Sequence, residues 1–367
     1  MKALRIISRI IIGLTFIYSG FVKGVDPLGT MYKIEDYFIA YQMDWALSGA
    51  LPLAYLLVCV EFMIGISLLL NLKINWTTWL LLAIMSFFTV ITLLDALNNP
   101  VPDCGCFGEA IKLTNWETFY KNIVLMGFTL IIVWTHKMAR PLLGHKTAVI
   151  LLILTVIGFT GFTYYNQTNL PMIDFREWKT GNNMKQSGEP IYNLIYENTN
   201  TAEQRSFLSS EIPWQDSTWT KTWKFVKQQI DYSNVISPHH VEIVDNQGDD
   251  VTRAIIEHPG YHFIATAYSL EKASPEGLKK LSKLSREINT AGYNIVLLTG
   301  SLQSTIQKYE QQYRWDLQVY QADDIELKTM VRATPGLILM KDGTILKKWH
   351  YHNFPQIEEI LNLFSLE

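Results

Sequence analysis

Apolar residues are distributed along this chain in two different ways. Up to about residue 165 they come in long blocks, and five can be drawn: Leu4–Val22, Leu51–Leu70, Trp76–Leu97, Thr118–Trp134 and Thr147–Tyr164. A bilayer takes roughly 20 apolar residues to cross as a helix, so the blocks predict five membrane spans. The second and third hold a single charge each, Glu61 and Asp95. The first contains Arg5 and Arg9, whose long stems can carry the charge to the headgroups. Its Ser19-Gly20-Phe21 exit lacks the small-x-small pattern of a cleaved signal peptide, so it reads as a retained helix. Between the first two blocks, Ile34, Tyr37, Phe38, Tyr41 and Trp45 recur at helical spacing. This predicts an amphipathic helix, lying either in the membrane interface or against the bundle.

From about residue 241 the blocks are short and alternate in period. His262–Tyr268 and Tyr293–Thr299 predict strands, while Pro275–Ala291 carries Leu278, Leu281, Leu284 and Ile288 on one helical stripe. A helix at Gln303–Tyr313, a strand at Leu317–Tyr320 and a helix around Ile325–Val331 follow. Strands at Leu337–Met340 and Thr344–Trp349, joined by Lys341-Asp342-Gly343, read as a hairpin. A closing helix is expected at Pro355–Phe364. Strands alternating with helices predict an α/β sheet. The intervening stretch, 166–240, is rich in tryptophan and turn formers and shows no clear period. It is expected to be a linker with an irregular or helical subdomain, with a short helix near Trp219–Ile230. The expected organisation is a transmembrane bundle over 1–140, a fifth span over 141–165, the linker over 166–240 and the α/β domain over 241–367.

Charge sharpens the division. Residues 1–165 carry 20 charged side chains and residues 166–367 carry 45, with a net charge of −5 in the second part. No basic cluster exists, which argues against nucleic acid as a partner. The N-terminus (Lys2, Arg5, Arg9) and the loop after the fourth span (Lys137, Arg140, Lys146) are basic, whereas residues 23–48 and 98–117 lean acidic. The positive-inside rule then puts the N-terminus in the cytoplasm and, after five spans, the C-terminal domain outside it. That is the topology of a multi-pass membrane protein, with membrane lipid as its surround.

All three cysteines, Cys59, Cys104 and Cys106, lie in the first part. Cys104-Gly105-Cys106 falls in the expected outer loop before the fourth span. Two thiols one glycine apart can hold a metal or close a small disulfide, and no second Cys or His cluster supplies the four ligands of a tetrahedral site. An oxidising compartment favours the disulfide, and strained or exposed disulfides tend to be labile or catalytic. A redox-active pair and a static staple both fit the residues. Cys59, about 12 Å below the outer end of the second span, is a packed small residue unless it relays to the loop pair. Glu61 is an intramembrane acid, a residue type that usually faces a bundle interior or a cavity. It stands two positions from Cys59, about 200° round the helix. His350 with His352, and His239 with His240, are pairs that could bind a metal, and the expectation is that they are exposed surface histidines. No nucleotide-binding, hydrolase or zinc-protease motif is present.

Three motifs carry a resemblance over residues 1–140: Tyr18-Ser19-Gly20-Phe21-Val22-Lys23 with Asp26-Pro27, Glu61-Phe62-Met63-Ile64-Gly65, and Asp103-Cys104-Gly105-Cys106-Phe107-Gly108. This part resembles the DoxX/MauE family of bacterial membrane proteins. The resemblance implies a four-helix membrane core with a vitamin K epoxide reductase-like or DsbB-like arrangement. It also implies disulfide formation in exported proteins for MauE-like members and quinone-linked sulfur metabolism for DoxX-like ones. Those roles would attach to Cys104 and Cys106, with Glu61 as a matched position. A quinone cofactor is implied by the resemblance alone, because the chain lacks the C-x-x-C pair within a helix that quinone-linked oxidases use.

Over 241–367 the chain resembles the thioredoxin-like superfamily, on Ala333-Thr334-Pro335-Gly336 followed by a strand, the Lys-Asp-Gly turn and a second strand. The resemblance implies a cis bond before Pro335. Where the superfamily carries C-x-x-C, this chain reads Tyr268-Ser269-Leu270-Glu271-Lys272-Ala273, so the domain has no thiol chemistry of its own. The expected fold is therefore a membrane helical bundle with a fifth span and an extracytoplasmic thioredoxin-like domain. Two functions fit: a thiol–disulfide or electron-transfer component working through Cys104 and Cys106, with an exported protein as substrate or partner of the C-terminal domain, or a non-enzymatic scaffold that docks partners. Transport centred on Glu61 has only one buried acid behind it.

Overall fold

A computed structural model describes residues 2–101, 105–138, 143–188, 191–231 and 237–365. Cys104 and the expected domain boundary at 140/141 lie outside the described residues. The described chain forms two compact units. One comprises Met1–Arg176 with Thr329–Gly336 and Trp349–Glu367, and the other Glu177–Lys328 with Leu337–Lys348.

Helices α1 (Lys2–Val25), α3 (Ala50–Leu69), α4 (Ile74–Asn98), α5 (Asn115–Thr135) and α6 (His145–Thr168) are the five apolar segments, each long and apolar enough to cross a membrane. The protein is a multi-pass membrane protein on this count. Between α1 and α3 runs α2 (Pro27–Ala40). It starts where the sequence says a helix can start: Asp26 accepts a hydrogen bond from the Gly29 amide, and Pro27 takes the first position. Of its aromatic stripe, Tyr37 turns toward the bundle, its hydroxyl donating to Asp95 Oδ2 at 2.6 Å, while Tyr41 and Trp45 lie beyond the helix and are exposed. Asp95, which lies near the end of α4, is fully buried. Thr114 and Glu117 close a capping box that fixes the start of α5.

The bundle core of Ile12, Phe16, Ile64, Leu68, Leu81, Met85, Leu125 and Ile132 sits between α1, α3, α4 and α5. Close approach of α1 and α3 depends on glycine. A Cβ on Gly20 would lie 2.8 Å from the Phe62 amide nitrogen, and one on Gly65 would lie 2.7 Å from that of Ile17. Small residues at such crossings let backbones meet in lipid, where no hydrophobic effect drives helices together.

In the second part the elements are β1 (Ile191–Asn198), β2 (Gln204–Leu208), α7 (Ser217–Thr222), β3 (Trp223–Asp231), β4 (Ile243–Val244), α8 (Thr252–Ile256), β5 (Tyr261–Ala267), α9 (Pro275–Thr290), β6 (Asn294–Thr299), α10 (Gln303–Tyr313), β7 (Gln318–Ala322), α11 (Asp324–Met330), β8 (Gly336–Lys341), β9 (Thr344–His350) and α12 (Ile357–Ser365). The main sheet has the order β4-β7-β6-β5-β8-β9, with β5, β6 and β7 parallel and β4 antiparallel to β7. Strands β5, β6 and β8 are buried almost throughout, as strands covered on both faces must be. Asp342 and Gly343 both have positive φ, the requirement of a tight two-residue hairpin turn. Ser274 accepts from the Gly277 amide and Pro275 opens α9, whose buried stripe is Leu278, Leu281, Leu284 and Ile288. The Thr334–Pro335 peptide is cis. A parallel core with an antiparallel hairpin on one side and a cis-proline before the hairpin's first strand is a thioredoxin-like arrangement.

The structure differs from the sequence expectation over 166–240. A three-stranded antiparallel sheet, β2-β1-β3, occupies this stretch, and only Ser217–Thr222 of the expected region near Trp219 is helical. Its aromatic residues prefer a pleated surface. Tyr196 gathers Phe207, Trp214, Trp219 and Phe225 around it at ring separations of 4.8–6.3 Å. A bulge shifts the β1/β3 register between Ile195 and Tyr196, leaving Val226 of β3 unpaired and interrupting that strand's alternation.

Candidate functional site

The helix α1 runs three residues beyond the apolar block that announced it, and this extension carries Lys23 into the bundle. Ser19 and Lys23 are four apart, so they share one face. Opposite them, on α3, stands Glu61. The Lys23 ammonium meets Glu61 Oε1 at 2.7 Å, with the side chains 6% and 1% exposed. The Ser19 hydroxyl lies 2.8 Å from Glu61 Oε2 and also 2.8 Å from the carbonyl oxygen of Cys106. One hydroxyl proton thus serves two acceptors, a carboxylate in the membrane and the backbone of the cysteine loop. Burying either charge alone would cost several kcal/mol, and the pair is tolerated because each partner is the other's counter-ion.

Cys106 borders two spaces. A small chamber of about 30 Å³ is lined by Ser19, Lys23, Glu61, Cys106, Lys121 and Asn122, with apolar walls that include Phe16 and Phe88. It is roomy enough for about one water, with Ser19, Lys23, Glu61 and Asn122 as polar partners in otherwise apolar walls. A larger, mainly apolar cavity of about 390 Å³ lies between α2, α3 and α4. Tyr37, Phe38, Phe87 and Phe88 line it, with Lys23 and Cys106 also on its wall. Its size and lining are those of a small-molecule site. The ammonium of Lys121, on α5, sits 4.4 Å from the Phe107 ring centroid, beside Cys106 in the chain.

Of the residues singled out in the sequence, the structure brings Glu61 and Cys106 together through Ser19. It does not put Cys59 with them: its sulfur faces Thr160 of α6 at 3.3 Å, and Cys59 lines neither space around Cys106. Lys23, Lys121 and Ser19 are functional candidates that sequence reasoning did not single out as such. The available signal was the i, i+4 pair Ser19/Lys23 on the helix facing an intramembrane acid, and a lysine inside the fourth apolar block. Among the described residues no cluster of three or more His, Cys, Asp or Glu could hold a metal ion.

In the other unit, the segment after β5 is polar without a thiol. Glu271 accepts hydrogen bonds from the hydroxyls of Ser269 (2.9 Å), Ser301 (3.0 Å) and Thr305 (3.0 Å). Its own backbone amide, with those three hydroxyls, holds the carboxyl below the usual range. His262 on β5 is buried, and burial with the neighbouring His258 pushes its pKa down to about 4. Within the helical unit, Arg332 reaches Asp26 with contacts of 2.9–3.0 Å. Burial works against the charge of Arg332, and Asp26 together with Tyr32 and Glu109 more than compensates, so the guanidinium is held above its ordinary value.

A helical membrane region around a buried ion pair, linked to a thioredoxin-like domain that lacks C-x-x-C, is the class defined by this fold and site. Residues 1–135 match the family model described as methylamine utilisation protein MauE. Two solved structures are similar to part of the chain. One is a thiol peroxidase from Chromobacterium violaceum, at 15% identity and a TM-score of 0.27, covering 34% of this chain and 81% of the other. The second is a bacterioferritin comigratory protein from Xanthomonas campestris, at 10% identity and a TM-score of 0.23, covering 34% and 87%. No curated protein matches the chain.

Proposed function

We propose that the chain is a membrane thiol–disulfide exchange component that works through Cys104 and Cys106 on the extracytoplasmic side of the inner membrane, with the N-terminus in the cytoplasm. The observation that carries this reading is the tie from Cys106 through Ser19 to the buried Lys23–Glu61 pair. A loop that merely staples two residues has no need of an ion pair held inside the membrane beneath it. In the exchange, a thiolate of an exported protein attacks the Cys104–Cys106 disulfide. Its second thiolate then resolves the mixed disulfide, so the disulfide passes to the exported protein and the loop keeps two thiols. The thioredoxin-like domain serves as the docking surface for that protein.

The quinone implied by the DoxX resemblance would fit the cavity beside Cys106, held by Tyr37, Phe38, Phe87, Phe88 and Lys23. When bound it would supply two-electron oxidising power to the pair.

The second reading, a scaffold with a static staple, is favoured by the hydroxyl–carboxylate cluster around Glu271 in place of thiols. Redox titration with thiol trapping on the full-length protein in lipid nanodiscs separates the two. Exchange requires that Cys104 and Cys106 pass between oxidised and reduced forms within the range of extracytoplasmic potentials. A pair that stays in one form, or a Cys104→Ser/Cys106→Ser protein with full function, leaves the scaffold reading in place.

A further inference from the structure

We propose that a crevice between α3, α4 and α6 binds an anionic glycerophospholipid, with an acyl chain along its walls and the phosphate at Lys73. The crevice holds about 560 Å³ and is lined mostly by apolar surface. Ser67 of α3, Trp76, Thr77 and Trp79 of α4 and Leu152 of α6 line it together with Lys73, from the turn between α3 and α4. Its volume is that of a small-molecule site. Trp76 and Trp79 are 81% and 57% exposed. Indoles on the outside of a membrane helix settle at the level of the headgroups. They place the mouth of the crevice, and Lys73 three residues before Trp76, at that level.

The charge of Lys73 decides what fills the crevice. Its side chain is half-buried, and it has no hydrogen bond or ion pair among the described residues. Arg9, at the same end of the bundle, differs: its guanidinium donates to the carbonyl oxygen of Leu68 at 2.9 Å and so closes the end of α3. The neighbouring helices supply Lys73 with no counter-ion. Residues 1–25, 62–94 and 118–173, which hold the ends of all five spans on this side, contain no Asp or Glu. A second copy of the bundle would bring the same acid-free helix ends, so it does not answer the charge either. A cation at the edge of the hydrocarbon calls for a partner, and here the partner comes from outside the chain. An acidic phospholipid joins an anion to an apolar chain in one molecule, and basic pockets between spans recognise such headgroups.

Native mass spectrometry of the full-length protein in detergent tests this, by titration with phosphatidylglycerol or phosphatidylcholine of identical chains. The first phosphatidylglycerol should bind about fivefold more tightly than the first phosphatidylcholine, the scale of one basic residue at an anionic surface. Lys73→Gln should abolish that preference and Lys73→Arg should keep it. Lys137→Gln, which removes a charge at the same end outside the crevice, should leave it unchanged. Equal affinity for the two lipids in the parent protein overturns the proposal, and so does an equal loss in Lys73→Gln and Lys137→Gln, which would mean a general attraction to the basic end. Glycerol phosphate alone, at millimolar concentration, should not displace the lipid; displacement would mean a free-phosphate site that makes no use of the crevice. A phosphatidylglycerol with a photoactivatable acyl chain gives the location. Its crosslinks should fall on the parts of α3, α4 and α6 that line the crevice, and crosslinks confined to other helices overturn the assignment.

Discussion

The two units of this protein treat polar chemistry in opposite ways. The helical unit, made for lipid, buries a lysine and a glutamate against each other and ties them to a cysteine loop. The sheet unit has a thioredoxin-like arrangement but no cysteine, and a carboxylate held by three hydroxyls follows β5. Fold alone points the search to the sheet unit, whereas the buried ion pair points it to the helical one; sites are grafted on folds and are argued from their side chains. Where a charge costs most to keep, as in the bundle, its presence says more.

The sharpest way to break this contrast is to remove the thiols. Cys106→Ser is expected to lower disulfide transfer to an exported dithiol protein by on the order of a thousandfold or more, the scale seen when a reacting group is removed. Glu271→Gln in the sheet unit, followed in the same transfer assay, should cost at most severalfold. If the two effects were equal, the division of labour between the units would be wrong.

Next in size is the ion pair. Lys23→Met leaves Glu61 buried without its counter-ion and should destabilise the helical unit by about 3–5 kcal/mol. The double variant Lys23→Met/Glu61→Leu removes both charges and should recover most of that loss. Thermal unfolding in a mild detergent, run as a double-mutant cycle, measures the difference. A double variant as unstable as the single would mean that the pair is held for other reasons than mutual compensation.

How much of this could be read from the sequence follows from the physics of each region. The spans were legible because lipid demands about 20 apolar residues in a row. Glu61 was legible because an acid in such a row stands out. Its partner was not, because Lys23 follows the apolar block and reads as a loop residue until α1 is seen to continue to Val25. The strands β5, β6 and β8 announce themselves as short apolar runs, and the Asp342-Gly343 turn as a hairpin. Strands β1–β3 did not, because polar residues and aromatics mix along them without a clean period of two and a bulge at Val226 interrupts β3. Cys59 and Cys106, equal as letters, are separated only by the fold, the one with its sulfur on Thr160 and the other with its backbone carbonyl on Ser19 beside the ion pair.

The sheet unit has its own cost of burial, and it answers to pH. His262 is held near a pKa of about 4, whereas in the unfolded chain it titrates near 6.5. Above about pH 6.5 it is neutral in both states and has no effect. Between about 6.5 and 4 the unfolded chain binds the proton that the folded one refuses, so stability falls as pH falls, by on the order of 3 kcal/mol. Denaturant unfolding at pH 7 and pH 4.5 should show this loss, and His262→Phe should reduce it. An equal loss in the variant would place the pH sensitivity elsewhere.

The smallest effect tests whether backbone approach, rather than side-chain chemistry, places Glu61 beside Ser19. Gly20→Ala puts a methyl group 2.8 Å from the backbone nitrogen of Phe62, a contact that no rotamer change relieves. Overpacking of this kind costs about 1–3 kcal/mol. It would also part α1 from α3 next to the Ser19–Glu61 contact, so the alkylation rate of Cys106 should change along with stability. Gly127 on α5 and Gly158 on α6 provide the control, because a Cβ at either meets nothing within 4 Å. Alanine there should be neutral, or stabilising by up to about 1 kcal/mol through helix propensity. If all three alanines behaved alike in thermal unfolding, the α1–α3 contact would not be what sets the site, and its geometry would have to come from the cysteine loop itself.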